Sequence, residues 1–216
     1  MKKYSHIIFD LDGTLTDPGR GITNSVMYAL GKFGIKAGRS ELYKFIGPPL
    51  RESFRTYYGF DAAGAEEAVT FYREYFSVKG MFENELYTGI PELLDSLKNS
   101  GRKLYVATSK PAEYSIRILD HFRLKEYFDY VSGSNMDGTM SEKSSLIGRI
   151  LSRISMAEYT ETVMVGDRRY DIEGARYHGL DSVAVTYGYG ELREIEDSLP
   201  TYIADTTGML GSYLLG

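Results

Sequence analysis

Short, wholly apolar runs rich in β-branched and aromatic residues recur along the chain. They are Ile7-Ile8-Phe9, Leu104-Tyr105-Val106-Ala107, Tyr130-Val131, Val163-Met164-Val165 and Val183-Ala184-Val185. Consecutive apolar positions without alternation predict strands buried on both faces, as in a parallel sheet covered by helices. Between the later runs the spacing turns helical. Ile116, Leu119 and Phe122 recur every three residues, and Leu146, Ile147, Ile150, Leu151 and Ile154 form one stripe. Pro91, just after Gly89-Ile90, suits the first turn of a helix through Leu94 and Leu97 that Gly101 would close. Strand–helix–strand alternation of this kind predicts right-handed crossovers and an α/β, doubly wound, mainly parallel sheet.

One interval departs from the alternation. From Thr16 to about Tyr87 no strand pattern is found. Ile22, Val26, Ala29, Leu30 and Phe33 mark an amphipathic helix ended by Gly34, and helical patterns cover 41–45, 50–58 and 62–78. The pattern predicts a core of residues 1–15 and 86–216, with a small all-helical domain, 16–85, inserted after the first strand. Linkers are expected near Asp17–Arg20 and Asn84–Gly89.

Composition narrows the possible functions. The 216 residues are 43% hydrophobic and 25% charged, which excludes a disordered chain or a collagen-like repeat. Twenty-five basic against 30 acidic residues give a net charge of −5, so nucleic-acid polymers and anionic membranes are not expected partners. There is no cysteine, which removes thiol catalysis, zinc–thiolate sites and disulfides together. The N-terminal segment reaches Asp10 after only three apolar residues, too few for a signal peptide or a membrane span. A cytoplasmic protein is expected.

The candidate chemistry lies at strand ends. In Phe9-Asp10-Leu11-Asp12-Gly13-Thr14 an acidic residue stands at the C-terminal end of an apolar strand, where open α/β sheets gather their ligands. Asp12 follows two positions on, and Gly13 lets the chain turn away. Two neighbouring carboxylates repel unless a proton or a cation intervenes, and oxygen-rich sites favour magnesium. One carboxylate could then attack phosphorus while the other handles a proton. Alone, Asp-x-Asp is better read as an acidic turn, since so short a motif matches often by chance.

Three further stretches add weight. Thr108-Ser109-Lys110 follows the Leu104–Ala107 run, where hydroxyl and backbone N–H groups ahead of a helix suit a phosphate. Thr108 or Ser109 could also cap that helix. Gly166-Asp167-Arg168-Arg169-Tyr170-Asp171 again places acids just beyond a strand. Asp167 reads as a metal ligand, and Asp171 as a second ligand, a supporting group or a helix N-terminal charge. Lys143, ahead of the Leu146–Ile154 stripe, could balance carboxylates and phosphoryl oxygens, though by itself it reads as a surface lysine.

In order and spacing, Asp10-Leu11-Asp12-Gly13-Thr14-Leu15, Thr108, Lys143 and Gly166-Asp167-x-x-x-Asp171 resemble the haloacid dehalogenase-like superfamily. The helical insertion resembles that family's α-helical cap. Phe45-Ile46-Gly47-Pro48-Pro49-Leu50-Arg51 and Tyr187-Gly188-Tyr189-Gly190 are similar to the phosphoglycolate phosphatase-like subgroup, and also to 5′-nucleotidases. The resemblance implies a magnesium-dependent phosphatase of a small phosphorylated metabolite, monomeric or homodimeric. Asp10 would be the nucleophile that forms an aspartyl-phosphate, and Asp12 the acid and base. Thr108 and Lys143 would hold the phosphoryl oxygens, and Ser109 and Lys110 beside Thr108 are further candidate contacts read from the strand-end loop itself. Magnesium would bind Asp10, the Asp12 carbonyl and Asp167, with Asp171 ligating or supporting. Phosphoglycolate is the first candidate substrate and a nucleoside monophosphate the second; a sugar phosphomutase or a non-enzymatic phosphoacceptor module would follow. Asp12 argues against carbon–halogen hydrolysis. Arg51 is read either as a second anion contact or as a surface residue of a cap helix.

Overall fold

The computed structural model describes residues 4–216. Strand β1, His6–Phe9, is buried at every position, as its unbroken apolar run requires. Beyond it the chain turns and forms β2, Thr16–Asp17, which pairs with β3, Glu85–Leu86, in a two-stranded ribbon. No strand is expected in this interval from the sequence. Two-residue strands of Thr-Asp and Glu-Leu are too short to carry any hydrophobic period, and only their pairing defines them.

Between these two strands lie α1 (Gly19–Lys32), α2 (Arg39–Leu42), α3 (Leu50–Tyr58) and α4 (Ala62–Phe76). Helix α1 begins earlier than the linker expected at Asp17–Arg20 allows, with the Asp17 carboxylate accepting the Gly19 N–H at 2.9 Å. Helix α4 stops at Phe76, two residues short of the expected end. Its start is fixed by Asp61, whose side chain accepts the Gly64 N–H at 2.7 Å. Residues 17–85 form a compact unit around an aromatic core. Phe45 meets Phe54 edge-on at 5.1 Å, Phe54 stacks on Phe60 at 5.9 Å, and Phe33 lies 4.8 Å from Phe60.

The second unit joins the residues up to Thr16 with 86–216. It runs through α5 (Ile90–Asn99), β4 (Lys103–Pro111), α6 (Ala112–His121), β5 (Tyr130–Ser134), α7 (Lys143–Leu151) and β6 (Thr162–Gly166). It continues through α8 (Arg169–Tyr177), β7 (Asp181–Val185), α9 (Leu192–Asp197), β8 (Tyr202–Ala204) and α10 (Thr207–Leu215). The sheet order is β5-β4-β1-β6-β7-β8, with every neighbouring pair parallel. The edge strand β8, Tyr-Ile-Ala, escapes sequence reading because three residues just after Pro200 make too short a run.

Helix α7 packs its whole stripe, Leu146, Ile147, Ile150 and Leu151, against Ile8, Tyr105 and Met164 of the sheet. Helix α6 buries a different face from the one its three-residue spacing suggests. Tyr114, Ser115, Ile118 and Leu119 turn inward while Ile116 stays partly exposed, so the i, i+4 pair decides and not the i, i+3 run. Because β1 lies between β4 and β6, the strand order reverses there. Loops leaving β1, β4 and β6 diverge from one crevice, which is where the sheet can hold a ligand. No helix among the described residues is long and apolar enough to cross a membrane.

Candidate active site

Asp10 is the first residue past β1, and its N–H donates to Val165 O at 2.8 Å, continuing the ladder with β6. Strand β6 ends at Gly166, so Asp167 emerges beside it, with no measurable exposure. Asp171 is the third residue of α8 and accepts the Arg168 N–H at 3.1 Å, which caps the helix. Asp171 thus closes the helix end and also faces the other two acids. Carboxylate oxygens of Asp10, Asp167 and Asp171 all lie within 4.8 Å of one another.

Lys143 opens α7 and is not a surface lysine; it is 8% exposed. Its ammonium donates to Ala107 O at 2.9 Å and lies 2.8 Å from Oδ1 of both Asp10 and Asp171. Those two oxygens lack the alignment of a hydrogen bond, so the contacts are ion pairs. Burial by itself pulls the Lys143 ammonium down, but Asp10 and Asp171 more than offset it and the net shift is upward.

The acids feel the opposite balance. Burial, then repulsion from Asp10 and Asp171, pushes Asp167 well above the usual carboxylate range. Burial pushes Asp171 up to about 6 even though Lys143 pulls it back. Three buried carboxylates share one ammonium, and the remaining negative charge calls for a proton or a cation. All the side-chain donors are hard oxygens, a set that fits magnesium far better than a soft metal.

Asp167 is enclosed by two turns. Thr14 Oγ1 donates to its Oδ1 at 3.5 Å and the Tyr189 N–H to its Oδ2 at 2.8 Å. Tyr187 OH donates to Thr14 O at 3.2 Å and so ties the two turns together. Gly13, at φ 86°, and Gly188 permit this approach, since a Cβ on either would overlap Asp167. Sequence reading uses Tyr187–Gly190 only as a family signature; the loop is in fact the wall of the acid cluster. Glu194 is a second residue missed. It accepts from Arg168 Nε at 2.8 Å and from the Arg169 N–H at 3.0 Å, anchoring the turn that carries Asp167 and Asp171. Its signal, one acid on a short distant helix, is invisible without the fold.

Asp12 stands apart from the three-acid cluster by its side chain. Its Oδ2 is 2.7 Å from Lys110 Nζ, while Oδ1 is buried without a hydrogen-bond partner. Burial raises the Asp12 carboxyl, and Lys110 offsets only part of that rise. Thr108 is buried, and its hydroxyl accepts the Lys110 N–H at 3.2 Å. Ser109 Oγ donates to Ser141 O at 2.8 Å, which links β4 to the loop preceding Lys143. Neither hydroxyl caps α6, because the strand continues to Pro111 and that proline takes the cap position. Arg51 lies in the helical unit, where its guanidinium pairs with Glu66 beside an open cleft also lined by Arg55 and Phe60.

This arrangement can hold a divalent cation and a phosphoryl group beside two carboxylates of different surroundings. The chain matches the family described as haloacid dehalogenase-like hydrolase over residues 7–185. It is 45% identical over 209 residues to a 5′-nucleotidase of Pseudomonas aeruginosa, covering 96% of this chain and 94% of that protein. It is 39% identical over 198 residues to the tyrosine-protein kinase PtkA of Mycobacterium tuberculosis, covering 91% of this chain and 67% of that protein. Phosphoglycolate phosphatase 1 of Pseudomonas aeruginosa is 30% identical over 209 residues, covering 92% and 75%. A crystal structure of a predicted phosphatase from Clostridium acetobutylicum superposes with a TM-score of 0.93 at 46% identity over 99% of each chain. With its acids at the ends of β1 and β6 and its lysine opening α7, the chain belongs to the haloacid dehalogenase-like hydrolases, as a phosphatase of that family.

Proposed function

We propose that the protein hydrolyses the phosphomonoester of a small cytoplasmic metabolite with magnesium, through an aspartyl-phosphate on Asp10. The observation that carries this reading is the position of the Asp10 carboxylate. It is buried at a strand end, 2.8 Å from the Lys143 ammonium and grouped with Asp167 and Asp171. Phosphoryl transfer needs an in-line nucleophile and neutralised equatorial oxygens more than it needs any other group.

An Asp10 oxygen attacks phosphorus, and the bond to the leaving oxygen breaks as Asp12 gives that oxygen a proton. The product alcohol departs and leaves an acyl phosphate on Asp10. Water then attacks the phosphorus, passing its proton to Asp12, and the Asp10 carboxylate and inorganic phosphate are released. Lys143 holds its charge against the phosphoryl oxygens throughout, and Thr108 and Ser109 orient the β4 loop beside them. A magnesium ion held by Asp10, Asp167, the Asp12 carbonyl and Asp171 would supply positive charge beside those oxygens.

The strong full-length likeness to a 5′-nucleotidase makes a nucleoside 5′-monophosphate the first substrate to test, ahead of phosphoglycolate. The Asp10→Asn variant is expected to lose hydrolysis of 4-nitrophenyl phosphate while its circular dichroism spectrum is unchanged. Full activity in that variant would refute covalent chemistry at Asp10. Stoichiometric release of inorganic phosphate separates a hydrolase from a mutase, which returns the group to the sugar, and from a phosphoacceptor module, which keeps it. Ranking kcat/KM over nucleoside monophosphates and phosphoglycolate decides the substrate.

A further inference from the structure

Lys110 reads from sequence as a phosphate contact, and its ammonium lies against Asp12. Its side chain is 6% exposed and lies 2.7 Å from Asp12 Oδ2. The other oxygen of the same carboxylate, Oδ1, is buried with no hydrogen-bond partner. A buried acceptor left open costs about 1–3 kcal/mol, so it persists where a reacting group will fill it. The backbone beneath Lys110 is itself held: its N–H donates to Thr108 Oγ1, and neighbouring Ser109 is tied to Ser141 O at 2.8 Å. The lysine therefore approaches Asp12 from a braced strand end.

We propose that Lys110 is a positioning residue for Asp12: it clamps Oδ2 and leaves Oδ1 as the atom that exchanges a proton with the leaving oxygen and with water. The ammonium keeps its own proton throughout, and only the proton on Oδ1 moves. This rests on the phosphatase reading in which Asp12 is the acid and base. Lysines 110 and 143 then divide the work, one serving the acid and the other the phosphoryl group.

The two possible roles of Lys110 leave different kinetic marks. Protonation matters most when the leaving oxygen is a poor one, whereas phosphate binding is shared by every substrate. The probes are glycerol 3-phosphate for a poor leaving group and 4-nitrophenyl phosphate for a good one, with inorganic phosphate as a competitive inhibitor. Lys110→Met is expected to lower kcat/KM for glycerol 3-phosphate by about 30-fold, within the range of general acid catalysis. For 4-nitrophenyl phosphate the drop is expected to be about threefold or less, with the inhibition constant of phosphate unchanged. Lys110→Arg, which restores a cation, should recover most of the loss and so shows that folding is not the cause. In an Asp12→Asn background the Lys110→Met loss should vanish.

A loss equal for both substrates, a weaker inhibition constant, persistence of the loss in Asp12→Asn, or no loss at all would each overturn the proposal. The Asp12→Asn variant alone tests the underlying reading. If it shows no dependence on the leaving group, Asp12 is not the acid, whatever Lys110 does.

Discussion

Asp171 and Gly188 show how closely the acid cluster is built. The folded-state pKa of Asp171 is raised to about 6 from a usual value of 3.8. A raised carboxyl contributes stability that is full below the unfolded value and lost as pH rises through the folded one. Without metal, this group should therefore make the protein less stable at pH 7.5 than at pH 4.5. Urea unfolding in EDTA at pH 4.5 and 7.5 measures that difference, and Asp171→Asn should reduce it, leaving the part that the raised Asp167 carboxyl contributes. Magnesium at pH 7.5 should raise the melting temperature more than at pH 4.5, because protons compete for the same oxygens. Gly188→Ala places a methyl group against Asp167 and the Gly13 carbonyl. It is expected to weaken magnesium binding by at least about tenfold by calorimetry, since the Gly13 carbonyl is backbone that cannot swing away and the strain falls on the Asp167 side chain. None of these residues is marked by its type alone. Asp10 and Asp167 are legible because each directly follows an apolar run. Lys143 is singled out only through the family resemblance, and Glu194 and the pairing of Lys110 with Asp12 are not legible, because a lone charged residue looks the same on any surface.

Among the elements, agreement with sequence reading follows the strength of the local signal. Helix α7 carries four apolar residues of the stripe and packs them as read, with the fifth, Ile154, just beyond its end. Helix α6 is misread because its apolar residues fit two faces, and only contact with the sheet chooses between them. Strands β1, β4, β6 and β7 are buried runs that sequence alone reveals, whereas β2, β3 and β8 have two or three residues each. Such strands exist because a neighbour supplies their hydrogen bonds. Caps offer a control on these ideas. Asp61→Ala removes the side-chain bond to the Gly64 N–H and should cost about 1 kcal/mol in urea unfolding. It should leave kcat on 4-nitrophenyl phosphate unaltered. In contrast, Leu146→Ala should cost about 2–5 kcal/mol and also reduce activity, because α7 carries Lys143 at its first position.

At the scale of the whole molecule, the chain separates into two units with cores of their own. Phe54 is fully buried in the helical unit, and Phe54→Ala should cost about 3–5 kcal/mol there. Hydrogen exchange is expected to speed up across residues 17–85 while the amides of β1 and β6 keep their protection. Equal loss in both units would show that they unfold as one. The run of apolar strands, the helical stripes and the acids directly after β1 and β6 were determined by local sequence, because short-range pattern dictates which backbone forms and where it ends. The partners were decided only by tertiary structure: Lys143 between Asp10 and Asp171, Lys110 on Asp12, Glu194 beneath Arg168, and the Tyr187–Tyr189 turn around Asp167. Those contacts join positions far apart along the chain, and electrostatic and packing forces select them by distance in space, a quantity that spacing along a sequence does not contain.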